Sequence, residues 1–425
     1  MEARLVIFKY KPKIIAITGS VGKTSTKDAI YAVLSGVSYV RKSEKSYNSE
    51  IGLPLAVLGV SSGWNDPLHW LKNIYEGLWL FIWPHKYPAW LILEIGVGHP
   101  GDMRRTASWL KTDAVVITAI GETPAHIEFF DSRKHLIKEK SHLIKTLKKD
   151  GLLILNADDE DVLRMGGGRV HRVITYGWKN KADVFGGSDS IFYDDQGIPK
   201  GIIFRVEEEG NSLPVVIEGV FGRNHVYASL ASLALILGLK FNLINAISKL
   251  KNYDVSPGRM RLLPGINDSL IIDDTYNSSP VACESALKTL GEIRREINDQ
   301  GRKIAILGDM LELGRHTEEA HKNIGRIAGE TLGAQGDVLI TVGPRAKAFR
   351  EGAVSTGMNE KNIFEFLNSN EVSSFIKTFL QKGDLVLVKG SQGMRMERIV
   401  GSILSDQKNK NKLLVRQDDE WLEKK

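Results

Sequence analysis

The stretch Thr18-Gly-Ser-Val-Gly-Lys-Thr24 has the residue types and order of a loop that holds a nucleoside triphosphate. A β-branched run, Ile14 to Ile17, reads as a buried strand ahead of it. Behind it, Ala29, Ile30, Val33 and Leu34 recur at helical spacing. In such a strand–loop–helix, N–H groups of the loop and first helical turn point at phosphate oxygens, which makes Gly19, Ser20, Val21, Gly22 and Ser25 candidate phosphate contacts. Lys23 adds a cation, and Thr24 offers a hydroxyl to Mg²⁺. The first glycine of the commoner G-x-x-x-x-G-K-[ST] pattern would fall at Ile17, so this is the tighter T-G-x-x-G-K-T form with Gly19 carrying the turn. The flanking strand and helix weigh against a chance Gly-Lys-Thr on a surface loop.

Further residues of chemical interest follow strand-like runs. Glu94 ends Trp90-Leu-Ile-Leu beside Gly96 and Gly98, where a buried ionised carboxylate needs a partner or a metal. It reads either as a Mg²⁺ ligand alongside Thr24 or as a cap on the turn His99-Pro-Gly101. His126 lies just beyond the strand Ala114–Thr118 and is either a metal ligand or a hydrogen-bonded structural residue. Lys138 and Lys140 fall in a basic helical segment, 133–149, where a solvated face is the default. Arg259 follows the break Asp254-Val-Ser-Pro-Gly258 and could reach a nucleotide. Asp274, in Ile271-Ile-Asp-Asp-Thr-Tyr-Asn277, marks either a helix N-cap or a contact to ribose hydroxyls, and Lys389 ends another strand as a candidate anion contact.

The elements that must position these residues alternate strand and helix, which predicts an α/β protein with a mostly parallel, doubly wound sheet and ligands at the C-terminal strand ends. Residues 169–220 read as a small β-rich subregion. The break near 254–258 predicts a P-loop central domain over 1–255 and a smaller Rossmann-like α/β domain over 256–425, with the active site in the cleft between them. The tail from Asp406 reads as a solvated helix or disordered.

Composition sets the class. The 425 residues are 42% hydrophobic and 25% charged, as in a soluble globular protein, and the net charge of +6 suits an anionic small-molecule substrate without implying nucleic acid. A lone cysteine, Cys283, excludes an intramolecular disulfide and fits a reducing compartment. Residues 1–13 lack a signal-peptide core, so a cytoplasmic location is expected. Residues 64–90 carry five of the eight tryptophans, but Lys72, Glu76 and Pro84 keep every uncharged run below membrane-spanning length. The segment reads as a partly buried helix, with peripheral membrane contact as the competing reading.

Taken together, the motifs resemble those of the Mur ligases of peptidoglycan synthesis. The matching stretches are Thr18–Thr24, Asn48-Ser-Glu-Ile-Gly-Leu-Pro54, Glu94-Ile-Gly-Val-Gly-His-Pro-Gly101, His126-Ile-Glu-Phe-Phe, Gly258-Arg-Met, Asp273–Pro280, Leu307-Gly-Asp-Met-Leu-Glu-Leu-Gly314 and Lys389–Glu397. Asp273–Pro280 and Leu307–Gly314 resemble the D-alanyl-D-alanine-adding branch. The resemblance implies an ATP- and Mg²⁺-dependent ligase that converts a nucleotide-sugar peptide acid to an acyl phosphate, which a dipeptide amine then attacks. Under it, Lys23 contacts the β/γ-phosphates, Thr24 and Glu94 hold one Mg²⁺, and His126 a second. Lys140, fourteen residues after His126, matches the lysine that the family carbamylates in support of that metal. Arg259 would contact phosphate, Asp274 ribose, and Asn48, Asn277 and Lys389 the substrate. His225 would face adenine, although Gly222-Arg-Asn-His225 exchanges the last two residues of the family's order. The phosphate-loop strand begins near residue 13, so the family's N-terminal UDP-binding domain is expected to be missing; either a partner supplies its surface, the nucleotide-sugar is held differently, or the acid is another one. Competing readings are a ligase for a folyl- or cyanophycin-type acid, and a non-catalytic nucleotide-binding partner of a membrane-associated assembly. The joint presence of Glu94, His126 and Lys140 weighs against the last.

Overall fold

The computed structural model describes residues 2–43, 47, 49–121, 129–168, 172–208, 210–251, 253–294, 301–333 and 336–422. The chain forms two compact units: Met1–Ser188 with Phe204–Val215 and Asn224–Asp254, and Asp189–Ile203 with Val216–Arg223 and Val255–Lys425. The elements run α1 (Glu2–Tyr10), β1 (Lys13–Thr18), α2 (Lys23–Ser35), β2 (Val40–Lys42), α3 (Gly52–Leu58), α4 (Pro67–Ile82), β3 (Trp90–Glu94), α5 (Asp102–Ala107) and β4 (Thr112–Ile117). Next come α6 (Arg133–Ser141), β5 (Leu147–Asn156), α7 (Glu160–Met165), β6 (Arg172–Gly177), β7 (Val184–Tyr193), β8 (Pro199–Glu208), β9 (Asn211–Glu218), α8 (Arg223–Gly238) and α9 (Leu243–Leu250). Their strands form one sheet in the order β2-β3-β1-β4-β5-β6-β7-β8-β9.

Strands β1, β3 and β4 are apolar at nearly every position, the pattern of strands covered on both faces. Strand β1 pairs in parallel with β3, setting Ile17 opposite Glu94, and with β4, setting Thr18 opposite Ile117. Three chain segments, after Thr18, Glu94 and Ile117, therefore leave the sheet side by side at one edge. Ile14, Ala16, Leu91, Leu93, Val115 and Ile117 pack into the core behind that edge with Leu136 and Leu143.

The second unit continues with β10 (Arg261–Pro264), β11 (Leu270–Asp274), α10 (Pro280–Glu292), β12 (Lys303–Gly308), α11 (Thr317–Thr331), β13 (Val338–Val342), α12 (Ala346–Val354), β14 (Ile363–Phe366), α13 (Ser369–Phe379), β15 (Leu385–Lys389) and α14 (Glu397–Ile403). Its sheet order is β10-β11-β15-β12-β13-β14, with β10 antiparallel and the rest parallel. The parallel register of β11 and β15 sets Asp274 opposite Lys389.

Two sequence readings need correction. The basic segment 133–149 is not one helix: α6 stops at Ser141, a 3₁₀ turn spans His142–Thr146, and β5 starts at Leu147. Thr146 Oγ1 lies 2.8 Å from Thr112 Oγ1 and donates to the Leu143 carbonyl, which draws this stretch onto the start of β4. The tail is also more ordered than its charge suggests, because Leu414 is buried and Arg416 is nearly so. Helix α4 is partly buried, as its sequence reads: Asn73 and Gly77 are buried and Leu80 and Phe81 pack on the core, while Leu68, Leu71, Ile74, Leu78 and Ile82 are exposed. Among the described residues no helix is long and apolar enough to cross a membrane.

Candidate active site

The loop after β1 is built by two glycines with left-handed backbone, Gly19 (φ 148°) and Gly22 (φ 84°). A Cβ at Gly19 would fall 2.0 Å from Thr118 Oγ1, so no side chain fits there. The Ser20 and Val21 N–H groups donate to the Ala119 carbonyl at 2.7 and 3.1 Å, and Thr118 Oγ1 donates to the Val21 carbonyl at 2.7 Å. The loop is thereby pinned to the end of β4, and α2 begins at Lys23 directly after Gly22.

Lys23 folds back over this loop, its Nζ 2.9 Å from the Gly19 carbonyl and 3.2 Å from that of Ser20. Lys140 Nζ reaches the same Gly19 carbonyl at 3.1 Å from α6, which lies between β4 and β5 in the chain. It is placed there by α6, whose Leu136, Glu139 and Lys140 face inward at spacings of three and four residues. Glu139 Oε1 accepts from the Met103 and Arg104 N–H groups at 2.9 and 3.3 Å, anchoring that helix to the N-terminus of α5. Burial first, and the Lys23 cation second, pull the Lys140 ammonium down to about 7.

On the neighbouring strand end, Thr24 Oγ1 donates to Glu94 Oε2 at 2.9 Å. Lys27, one turn further along α2, is buried with its Nζ 3.7 Å from the same carboxylate oxygen and 3.0 Å from the Ser43 carbonyl. Three ammonium groups thus gather around one carboxylate and the first turn of α2, a surplus of positive charge that suits a polyphosphate, although the Ser20 and Val21 amides expected at phosphate are instead engaged by the Ala119 carbonyl. Ser20 Oγ, in the middle of the loop, is buried with no hydrogen-bond partner among the described residues, as expected of a group that meets a ligand.

The hydroxyl and carboxylate of Thr24 and Glu94 are hard oxygen donors of the kind Mg²⁺ takes. Among the described residues no group of three or more His, Cys, Asp or Glu could hold a metal by itself. The pair therefore fits an ion that draws its other oxygens from phosphate and water, the usual habit of Mg²⁺. His126 and Asn48 lie outside the described residues.

Within the second unit, Lys389 Nζ pairs with Asp274 Oδ2 at 2.6 Å and donates to the Asn277 carbonyl at 3.0 Å. Asn277 Oδ1 accepts from the Ser278 N–H, and the Arg259 guanidinium stacks 4.1 Å from the Tyr276 ring centroid. Asp273, by contrast, is fully buried and accepts from Thr275 Oγ1, Thr275 N and Gly258 N; burial raises its carboxyl to about 6. It shapes the turn while Asp274 is left to face Lys389.

Sequence reasoning missed the groups behind these. Arg416 Nη1 donates to the Thr275 carbonyl at 3.0 Å and to Glu397 Oε2 at 3.1 Å, and Nη2 donates to the Tyr276 carbonyl. In the Leu307–Gly314 motif, the buried Asp309 pairs with Arg345 at 3.1 Å. The Met310 N–H donates to His321 Nε2, which leaves the imidazole proton on Nδ1, directed at the Thr317 carbonyl. Lys27 had one sequence signal: a lysine four residues after Lys23, about one helical turn further along the same face of α2. His225 is buried in α8 with its Nδ1 against the Tyr253 hydroxyl, engaged inside the fold.

Comparison with known proteins agrees with this construction. The Mur ligase middle domain matches residues 80–236, and the Mur ligase glutamate ligase domain matches 258–392, together more than half of the chain. UDP-N-acetylmuramoyl-tripeptide–D-alanyl-D-alanine ligase of Bacillus subtilis is 28% identical over 400 residues, covering 92% of this chain and 76% of that protein. The Escherichia coli protein of the same name is 24% identical over 393 residues, with the same coverage. Among solved structures, MurF ligase of Thermotoga maritima in complex with ADP has a TM-score of 0.73 at 26% identity, covering 94% of this chain and 81% of that one. A folylpolyglutamate synthase of the same organism shares the fold, with a TM-score of 0.57 at 14% identity over 93% of this chain and 91% of that one. With both domains matched in order around a phosphate loop, a Thr24–Glu94 pair and a buried Lys140, the chain belongs to the Mur ligase family and is an ATP-dependent acid–amino-acid ligase working with Mg²⁺.

Proposed function

We propose that this ligase joins D-alanyl-D-alanine to the terminal carboxylate of a UDP-N-acetylmuramoyl-tripeptide. The observation that carries the reading is the convergence of Lys23 and Lys140 on the Gly19 carbonyl, beside the Thr24–Glu94 pair, in a chain whose relatives bear that name.

A carboxylate is a poor acyl donor until one of its oxygens becomes part of a leaving group. Transfer of the γ-phosphoryl group from ATP to that oxygen releases ADP and gives an acyl phosphate. The dipeptide amine then attacks the acyl carbon, and collapse of the tetrahedral adduct expels phosphate as the nitrogen loses its proton. The N–H groups of the first turn of α2 bind and orient the phosphates, since those of Ser20 and Val21 already hold the Ala119 carbonyl, and Lys23 places a cation against the transferring group. Mg²⁺ held by Thr24 and Glu94 would offset the repulsion between two anionic reactants. Lys140, with a share of neutral amine near pH 7, is suited to take up CO₂ as a carbamate with loss of one proton, which would turn a cation into an anion beside the site. We assign Asp274 to ribose, Arg259 to phosphate, and Asn277 and Lys389 to substrate.

The test is phosphate release with ATP, Mg²⁺, UDP-N-acetylmuramoyl-tripeptide and D-alanyl-D-alanine, each omitted in turn. Release should require all of them. Equal release when a folyl acid and glutamate replace the two acceptors would overturn the substrate assignment.

A further inference from the structure

Helix α4 carries a feature that the ligase reaction does not use. Asp66 caps it by accepting from the Leu68 N–H, Pro67 occupies its first turn, and it runs 16 residues to Ile82. At 100° per residue, Leu68, Leu71, Ile74, Leu78 and Ile82 fall within one arc of about 140°, and all five are exposed. Tyr75 and Trp79 lie in the same arc, their rings stacked, and Trp79 leads on to Trp83 at 5.6 Å. Phe8 of α1 is 75% exposed. A stripe this wide and continuous exceeds the scattered apolar residues of an ordinary surface.

The opposite side of α4 is fixed in place. Gly77 lets α1 approach so closely that a Cβ there would fall 2.4 Å from Glu2 Oε2. Lys9 Nζ donates to the Leu80, Phe81 and Trp83 carbonyls, and Tyr10 Oη to that of Leu80, so α1 caps the C-terminal end of α4. The apolar stripe is therefore presented outward by a helix already committed to its own unit.

Charge selects the occupant. Residues 2–13 and 64–90 hold six Lys or Arg against three Asp or Glu, half of the chain's net charge of +6 in under a tenth of its length. On α4 itself Lys72 pairs with Glu76 at 3.7 Å, and the surplus comes from Arg4, Lys9, Lys11 and Lys13 of the segment that packs on it; two copies of this cationic region would repel each other, whereas an anionic surface would attract it. Trp and Tyr, apolar bodies with a polar tip, are the residues that sit at a membrane–water boundary. The helix is about 24 Å long, short of the roughly 30 Å hydrocarbon core, and Lys72 and Glu76 mark a polar edge, so it lies in the interface plane. We infer that α4 docks this protein on the surface of an anionic lipid bilayer.

The full chain should co-sediment with vesicles containing phosphatidylglycerol, less in high salt and weakly with pure phosphatidylcholine. Brominated lipid should quench its tryptophan fluorescence, a measurement on the unaltered protein. The Leu71→Glu/Leu78→Glu pair should weaken partitioning at least about ten-fold with an unchanged melting temperature, and Lys72→Glu should weaken it selectively for anionic vesicles. Absence of co-sedimentation and quenching would overturn the inference. So would equal binding to neutral vesicles, or a dimer in sedimentation velocity that the Leu71→Glu/Leu78→Glu pair dissociates.

Discussion

Lys140 Nζ and Lys23 Nζ stand 3.1 and 2.9 Å from one acceptor, the carbonyl oxygen of Gly19. Two ammonium groups sharing an oxygen in a buried place cannot both hold their protons cheaply. The cost falls on Lys140, which burial and the Lys23 charge bring from 10.5 down to about 7. Between pH 7 and 10.5 the unfolded chain keeps a proton that the folded chain has released at this position. Stability from this group therefore rises with pH through that window, by up to about 1.4 kcal/mol per unit, and is constant at its least favourable below pH 7. Lys140→Met should flatten that rise in denaturant titrations at pH 7, 8.5 and 10, and an unaltered slope would mean that the amine is not perturbed.

The same lysine should matter for turnover. If carbamylation makes Lys140 an anionic group, Lys140→Ala is expected to lose activity and to recover part of it when short carboxylates such as formate or acetate are added. Lys23→Ala should abolish ATP-dependent phosphate release without any such rescue, because it removes a cation. Full activity of Lys140→Ala without added acid would reduce Lys140 to a structural residue.

Glu94 joins two roles that can be separated. Glu94→Gln removes the anion from Thr24 and Lys27, leaving Lys27 a buried charge without its carboxylate; the loss of stability should reach about 3–5 kcal/mol. Adding Lys27→Met should recover much of that stability, but phosphate release should stay low because no carboxylate remains beside Thr24. Calorimetric melting together with phosphate release gives both readouts. Recovery of activity in the double variant would remove Glu94 from the reaction.

How much of this was legible beforehand depended on whether a residue's neighbours were local in sequence. The phosphate loop was readable because Ile14–Ile17, Gly19, Gly22 and the α2 pattern all lie within one strand–turn–helix unit. Glu94 was readable as a strand-end carboxylate, and the parallel β1–β3 register then set it beside that loop. Lys140 was named only through the motif resemblance and not from its own neighbours, since its burial depends on Glu139 reaching the α5 backbone 36 residues earlier, a contact that no local periodicity encodes. For a related reason α4 was left with two readings, partly buried or facing a membrane surface: only the tertiary contacts of Gly77 and Lys9 show which side is already occupied. The tail misled through composition, its many charges hiding Leu414 and Arg416.

Arg416 offers the sharpest test of that last point. Its guanidinium bridges the Thr275 and Tyr276 carbonyls and the buried Glu397, so it braces the turn that carries Asp274 and Asn277 from a segment more than a hundred residues away. A lysine has one ammonium and cannot span three acceptors with the planar fork of arginine. Arg416→Ala should destabilise the second unit by about 2–4 kcal/mol and leave Glu397 to Arg395 alone, which lies 2.6 Å away. If Asp274 contacts ribose, KM for ATP should rise more than kcat falls, and added guanidinium ion should restore part of the loss, while Arg416→Lys should recover little. A stable Arg416→Ala protein with unchanged KM would show that the turn holds its shape without the tail.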